Sequence, residues 1–168
     1  MTVAADARAA FIDALEMRDV RYTEVDEETL RVGWSAAPVD FRQYVNIEEL
    51  HDGVIRIAVH LVPALAVPPS KRNATVLFMN RVNWDIALGN WELDESDGQV
   101  MLRLSFITDR VISAAVADYY LGISQTHCGR TMPYLMRIVN DGFTAEEAYL
   151  DYEADLTIDA GEDDEQGQ

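Results

Sequence analysis

The 168-residue chain carries 13 Lys and Arg against 30 Asp and Glu, a net charge of −17 at neutral pH, and 49% of its residues are hydrophobic. That length and apolar content suit one domain with its own core, while the acidity disfavours nucleic acid and anionic membrane surfaces, which need a positive patch. The single cysteine, Cys128, excludes an intramolecular disulfide and with it a stapled secreted scaffold.

The charge is uneven: from Ile138 to Gln168 there are eleven acidic residues and no Lys or Arg. At the amino terminus, Asp6 and Arg8 interrupt the apolar run a signal peptide would need, so MTVAADARAAFIDALEMRD reads as a first helix. The most apolar later stretch, VIRIAVHLVPALAV, is broken by Arg56, His60 and Pro63 and falls short of the roughly 20 residues of a membrane helix. A cytoplasmic protein without membrane insertion is expected.

Over residues 3–18, Ala7, Phe11 and Leu15 recur four apart with Ala4 and Ile12 beside them, one apolar stripe of a helix. Two short strands follow, Arg21–Val25 and Thr29–Trp34. In the second, Leu30, Val32 and Trp34 alternate with polar or small neighbours. Ala36-Ala37-Pro38 interrupts the pattern. Phe41–Glu48 is a third strand, with Phe41, Val45 and Ile47 of one parity, and Asp52-Gly53 signals a tight hairpin turn into Val54–Leu61. There Ile55, Ile57 and Val59 share one side, while Arg56 and His60 dilute the other. One sheet face should be packed and the other partly wet.

The prolines of PALAVPPS mark a connection. Ser70 is placed to cap a helix running to about Val82, with Ala74, Leu77, Phe78 and Val82 inward. Asn83 and Asp85 mark a turn into a strand, Ile86–Leu93, and Asp97-Gly98 a second hairpin into Val100–Phe106, where Val100, Leu102, Leu104 and Phe106 alternate cleanly. From about Asp109 the period becomes helical, with Ile112, Val116, Tyr119 and Ile123 as the inner stripe. Pro133 either starts a second helix capped by Thr131 or bends one long helix. Thr144-Ala-Glu-Glu147 fits a capping box for a helix to about Leu156. The predicted architecture is α+β, an antiparallel sheet packed by helices on one face, in the order α-β-β-β-β-α-β-β-α with an added C-terminal helix.

Two stretches carry a family resemblance: VLFMNRVNWDIALGNWELDESDGQVMLRLSFI, residues 76–107, and DYYLGISQTHCGRTMPYLMRIVNDG, residues 118–142. With Asn83, Gly89, Trp91, Leu93, Asp94, Asp97, Gly98 and Pro133 at the matching positions, the chain resembles the YbjN family of bacterial sensory transduction regulators. The resemblance extends from about residue 4 to 142, the first half mainly by order of elements. That family in turn resembles the type III secretion chaperone fold, compact α/β domains that commonly dimerise and hold partner segments. A single YbjN-like domain is expected over residues 1–158, with the C-terminal helix an addition to the family pattern, and the composition of 159–168, which offers nothing to repay ordering entropy, marks a disordered acidic tail. The resemblance brings no catalytic set, and Asn83, Gly89 and Asp94 come over as framework positions.

Local chemistry is sparse. His127 and Cys128 are adjacent, and neighbouring helical residues point about 100° apart rather than at each other. His51, His60 and His127 are too scattered in the chain to define a zinc site. The run Asp94-Glu95-Ser96-Asp97-Gly98 lacks the spacing and closing glutamate of a calcium loop. No glycine-rich phosphate loop and no G-x-S-x-G elbow occur. No catalytic, cofactor-binding or metal residue is assigned, and no cofactor is expected.

The aromatic residues offer more. Trp34, Trp84, Trp91, Tyr119 and Tyr120 exceed what one inner stripe requires, and Met132 and Met136 could extend an adaptable surface. Trp84, Tyr120, Met132 and Met136 are therefore the candidate protein contacts. The expected function is a non-catalytic protein-binding or chaperone-like regulator, a homodimer holding an amphipathic client segment, with its acidic rim steering basic partners. Two alternatives stand beside it. One is a ligand-responsive signalling domain with a closed apolar pocket. The other is a small hydrolase or transferase assembled from scattered acids, arginines and His60 or His127.

Overall fold

The computed structural model describes residues 2–36 and 39–165, with the backbone alone for residues 35, 36 and 158–165. Helix α1 (Val3–Met17) starts at Thr2, whose hydroxyl accepts the Ala5 N–H at 3.2 Å, and buries Ala7, Ala10, Phe11, Ala14 and Leu15. The four-residue recurrence of these side chains gives the helix its one apolar face.

Six strands follow the period-two runs: β1 (Tyr22–Glu24), β2 (Thr29–Ala36), β3 (Val39–His51), β4 (Val54–Pro63), β5 (Asn90–Leu93) and β6 (Val100–Thr108). They form one sheet, β1-β2-β3-β4-β6-β5, with every pair antiparallel. At the β3–β4 turn both Asp52 and Gly53 adopt positive φ, 47° and 79°, as a tight hairpin of this hand requires. Of the interruption expected at Ala36-Ala37-Pro38, Ala36 instead continues β2 and pairs with Val39, and residues 37 and 38 lie outside the described residues.

Parity decides the two faces. Leu30 and Val32, Val45 and Ile47, Ile55 to Leu61 at every second position, and Val100, Leu102 and Leu104 are buried against the helices. The opposite face is wetter and carries a registered row, Arg31, Tyr44, His60 and Arg103, across four neighbouring strands. The strand β5 begins at Asn90, four residues later than Ile86. Helix α2 runs on to Asp85, and residues 86–89 turn the chain through Gly89 at φ 89°.

Helix α2 (Pro69–Asp85) follows Pro68 and has no side-chain cap, so Ser70 does not start it. Proline at the first helical position replaces an N–H that would lack an intrahelical partner anyway. The buried positions are Thr75, Phe78, Met79 and Val82, and Leu77 points outward at 52% exposure.

Helix α3 (Ala114–Met136) is continuous through Pro133, and Thr131 lies inside it, its hydroxyl bonded to the His127 carbonyl at 2.8 Å. A five-residue π-helical turn, Arg137–Asp141, follows and is closed by Gly142 at φ 79°. The inner stripe is Ala117, Leu121, Ser124, Cys128, Thr131 and Leu135, so the expected stripe is out of phase: Val116 and Tyr119 are exposed. Helix α4 (Ala145–Glu165) opens on the expected capping box, in which Glu147 accepts the Thr144 N–H at 2.9 Å and the Thr144 hydroxyl accepts the Glu147 N–H at 3.2 Å. It passes Leu156 and takes in part of the 159–168 segment. Residues 166–168 lie outside the described residues.

One polar side chain occupies the apolar face. Gln43, fully buried on β3, accepts from Trp34 Nε1 at 2.8 Å and from Gln125 Nε2 at 3.1 Å, and donates to Ser124 Oγ at 2.7 Å. It ties β2, β3 and α3 together at one point. Replacing it with an isosteric apolar residue strands the indole and the Gln125 amide without their acceptor. Gln43→Leu is expected to lower unfolding free energy by about 1–3 kcal/mol in urea denaturation.

Candidate protein-binding surface

Trp84 owes its position to its neighbour. The Asn83 carboxamide behaves like a strand partner: its Oδ1 accepts the Trp91 N–H at 2.7 Å and its Nδ2 donates to the Trp91 carbonyl at 3.1 Å. Fixing Asn83 toward β5 turns the next residue about 100° around the helix. Trp84 stands 90% exposed.

The rest of this corner is framework. A Cβ on Gly89 would lie 2.9 Å from Leu104 Cγ and 3.0 Å from the Arg103 carbonyl. The Asp94 carboxylate accepts the Ser96 N–H at 2.8 Å and the Ser96 hydroxyl at 2.6 Å, and these bonds hold its pKa below the usual value. Asp97 accepts the Gln99 N–H at 2.8 Å.

Leu77, two helical turns before Trp84, lies on the same outer face of α2, with Val76 beside it and Leu88 just past the helix end, all exposed. The flank is braced by α4. The Tyr149 hydroxyl donates to Asp85 at 2.7 Å, and the Arg81 guanidinium sits 5.3 Å from the Tyr149 ring centre. The Asp85 hydrogen bond, with burial, pushes the Tyr149 pKa up to about 12. Asp85 and Arg81 are thereby engaged, and the apolar side chains of this face are left to solvent.

A second apolar area lies where β6 meets α3. Val111, Val116 and Tyr119 are exposed, and Tyr120, half-buried, stacks on Phe106 with ring centres 4.4 Å apart, while the exposed Ile107 lies on the opposite, wet face of the sheet beside Arg56. The four expected contacts are therefore divided. Trp84 and Tyr120 reach the surface on different elements, and Met136 is half-buried. Met132 is interior at 1% exposure, because it sits beside the true inner stripe of α3. Leu77 and Ile107, read respectively as an inner position and not at all, belong to the exposed set. Only the packing of α2 and the length of β6 reveal them.

The remaining reactive groups stay apart. Cys128 is buried, and burial alone raises its thiol pKa far above the usual value, which suppresses the thiolate a nucleophile needs. Burial, then the Arg130 charge, lowers the His127 pKa. Burial, then Arg103, does the same for His60 on the wet sheet face. The two imidazoles belong to different layers, His60 to the sheet and His127 to α3. Among the described residues no group of three or more His, Cys, Asp or Glu side chains is placed to hold a metal ion, and no helix is long and apolar enough to cross a membrane.

Comparison with known proteins agrees with this framework. The model of the YbjN family, described as "Putative bacterial sensory transduction regulator", matches residues 8–137, well over half of the chain. No curated protein matches the chain significantly.

Proposed function

The chain belongs to the YbjN family, and on that premise we propose that it is a non-catalytic, chaperone-like regulator that holds a client segment on the outer face of α2. The observation that carries this reading is the 90% exposure of Trp84 on one helical face with Leu77. A tryptophan left in water at the end of a braced helix is costly for the free protomer and useful to a complex. Large rings contribute most once a partner excludes water around them. An amphipathic client would lay its apolar side chains along Leu77, Trp84 and Leu88. Tyr120 serves a second contact area at the β6–α3 corner, where another copy of the chain is the proposed occupant; Met136, at the far end of α3, stands apart from it. Cytoplasmic residence is part of the same reading.

The test is co-purification with the full-length chain. A partner retained by the wild type is expected to fall about tenfold or more in yield with Trp84→Ser or Leu77→Ser, since central anchors contribute on the order of 2 kcal/mol or more. The melting temperature should change little, because neither side chain is in the core. Unchanged retention by both variants would refute the α2 surface.

A further inference from the structure

The net charge conceals a local reversal on the wet face of the sheet. Two of its arginines are neutralised in place, Arg56 by Glu48 and Arg103 by Glu92. Three others, Arg21, Arg31 and Arg42, are exposed and make no ion pair or side-chain hydrogen bond among the described residues. In a chain with 30 acidic and 13 basic side chains, leaving three arginines together without a carboxylate partner is unusual placement.

Strand register explains why they meet. Gly33 on β2 pairs with Arg42 on β3, and Arg31 pairs with Thr23 on β1. Continuing the β1–β2 register by one residue sets Arg21 opposite Gly33. The glycine therefore lies between two guanidinium-bearing neighbours, with Arg31 and Thr23 one row along the same face. Its missing side chain opens a recess of about 260 Å³, lined by these five residues together with Tyr22 and Val32. The glycine is not needed for backbone reasons or for packing. Its φ is ordinary, and a Cβ there would meet nothing within 4 Å.

We propose that this recess binds a compact polyvalent oxyanion, a phosphate or diphosphate group held by Arg21, Arg31 and Arg42 with Thr23 as a hydroxyl donor. Planar guanidinium forks match such oxygens in geometry, and their mutual repulsion is relieved when the anion enters. The recess is smaller than the usual 300–1,000 Å³ or so of a drug-sized site, which fits a charged group better than a whole apolar ligand. This site is independent of the α2 surface, and the failure of either reading leaves the other intact.

The experiment is a titration of the full chain with inorganic pyrophosphate, followed by amide NMR, with sodium chloride at matched ionic strength as the screening control. Saturable shifts confined to residues 21–23, 31–33 and 42 are expected. Arg31→Gln and Arg42→Gln should each weaken binding about tenfold. Gly33→Val should block the recess while keeping every charge and a β-branched fit to the strand. A parallel ADP titration separates the sources. Equal affinity assigns the site to the phosphate groups alone, and tighter ADP binding assigns it to a nucleotide, both in support. Shifts no larger than those of sodium chloride, or wild-type affinity in Gly33→Val, would overturn the proposal. So would saturation by a peptide of residues 159–168 without saturation by pyrophosphate, which would give the recess to the acidic terminus instead.

Discussion

Phe78→Ala is expected to lower the unfolding free energy by about 3–5 kcal/mol, the range for emptying a large buried aromatic site. Phe78 is fully buried on the inner face of α2. Its ring lies 6.5 Å from that of Tyr134 and meets Tyr152 edge-on at 6.2 Å, while Tyr134 and Tyr152 are themselves edge-to-face at 5.5 Å. One side chain thus joins α2 to α3 and α4. Tyr134 is held by a hydrogen bond to Asp155 and Tyr152 packs against the Tyr149 ring, so neither is free to collapse into the gap. That restraint places the cost toward the upper end. Urea denaturation should show a lower midpoint with an unchanged slope. Phe78→Leu, which keeps most of the volume, should recover more than half of the loss.

The second large effect is steric. Gly98 sits at φ 83°, and a Cβ there would lie 2.2 Å from the Val67 carbonyl oxygen, well inside any real contact. That backbone cannot retreat freely. The Val67 N–H donates to the Gly98 carbonyl at 2.7 Å, the Val67 carbonyl accepts from Arg72 Nε at 3.2 Å, and Ala66 bridges to Gln99. The proline-rich connection and the β5–β6 hairpin are laced together at this glycine. Gly98→Ala should cost about 2–4 kcal/mol, from the left-handed conformation and the displaced carbonyl together. Thermal melts read it directly. Gly33→Ala is the internal contrast: with ordinary φ and open space around it, the change should stay within about 0.5 kcal/mol.

The element order was legible because several boundaries are marked by local chemistry. Asp52-Gly53 supplies the two positive φ values of the β3–β4 turn, Gly98 supplies the one at the β5–β6 hairpin, and Thr144 with Glu147 caps α4 as its spacing requires. What failed was phase rather than type. In α3 the side chains nearest the core are mostly small or weakly polar: Ala117, Ser124, Cys128 and Thr131. The larger Val116 and Tyr119 mimic an inner stripe one residue out of step. Helix α2 misled in the same way, since Leu77 resembles a core residue and Thr75 does not, yet Thr75 is buried.

Gln43 shares parity with Phe41 and Val45, but its burial depends on acceptors and donors some eighty residues away in α3. Of the candidate site, Trp84 was legible from its polar neighbours, because Asn83 and Asp85 take the structural bonds on either side. Met132 was not, since its accessibility follows from the misjudged phase of α3. The arginine recess was invisible in one dimension. Arg21, Arg31 and Arg42 are ten or eleven positions apart, and only the β1–β2–β3 register gathers them around Gly33.

The client-holding role is tested most directly by placing a photo-crosslinking amino acid at position 84 of the full-length chain, with position 49 on β3 as an exposed control. Irradiation of intact cells that express the chain should yield a discrete adduct with one protein from position 84 and none from position 49. A chain that gives no adduct at position 84 beyond the control, while folded and expressed normally, would contradict a client seated on α2.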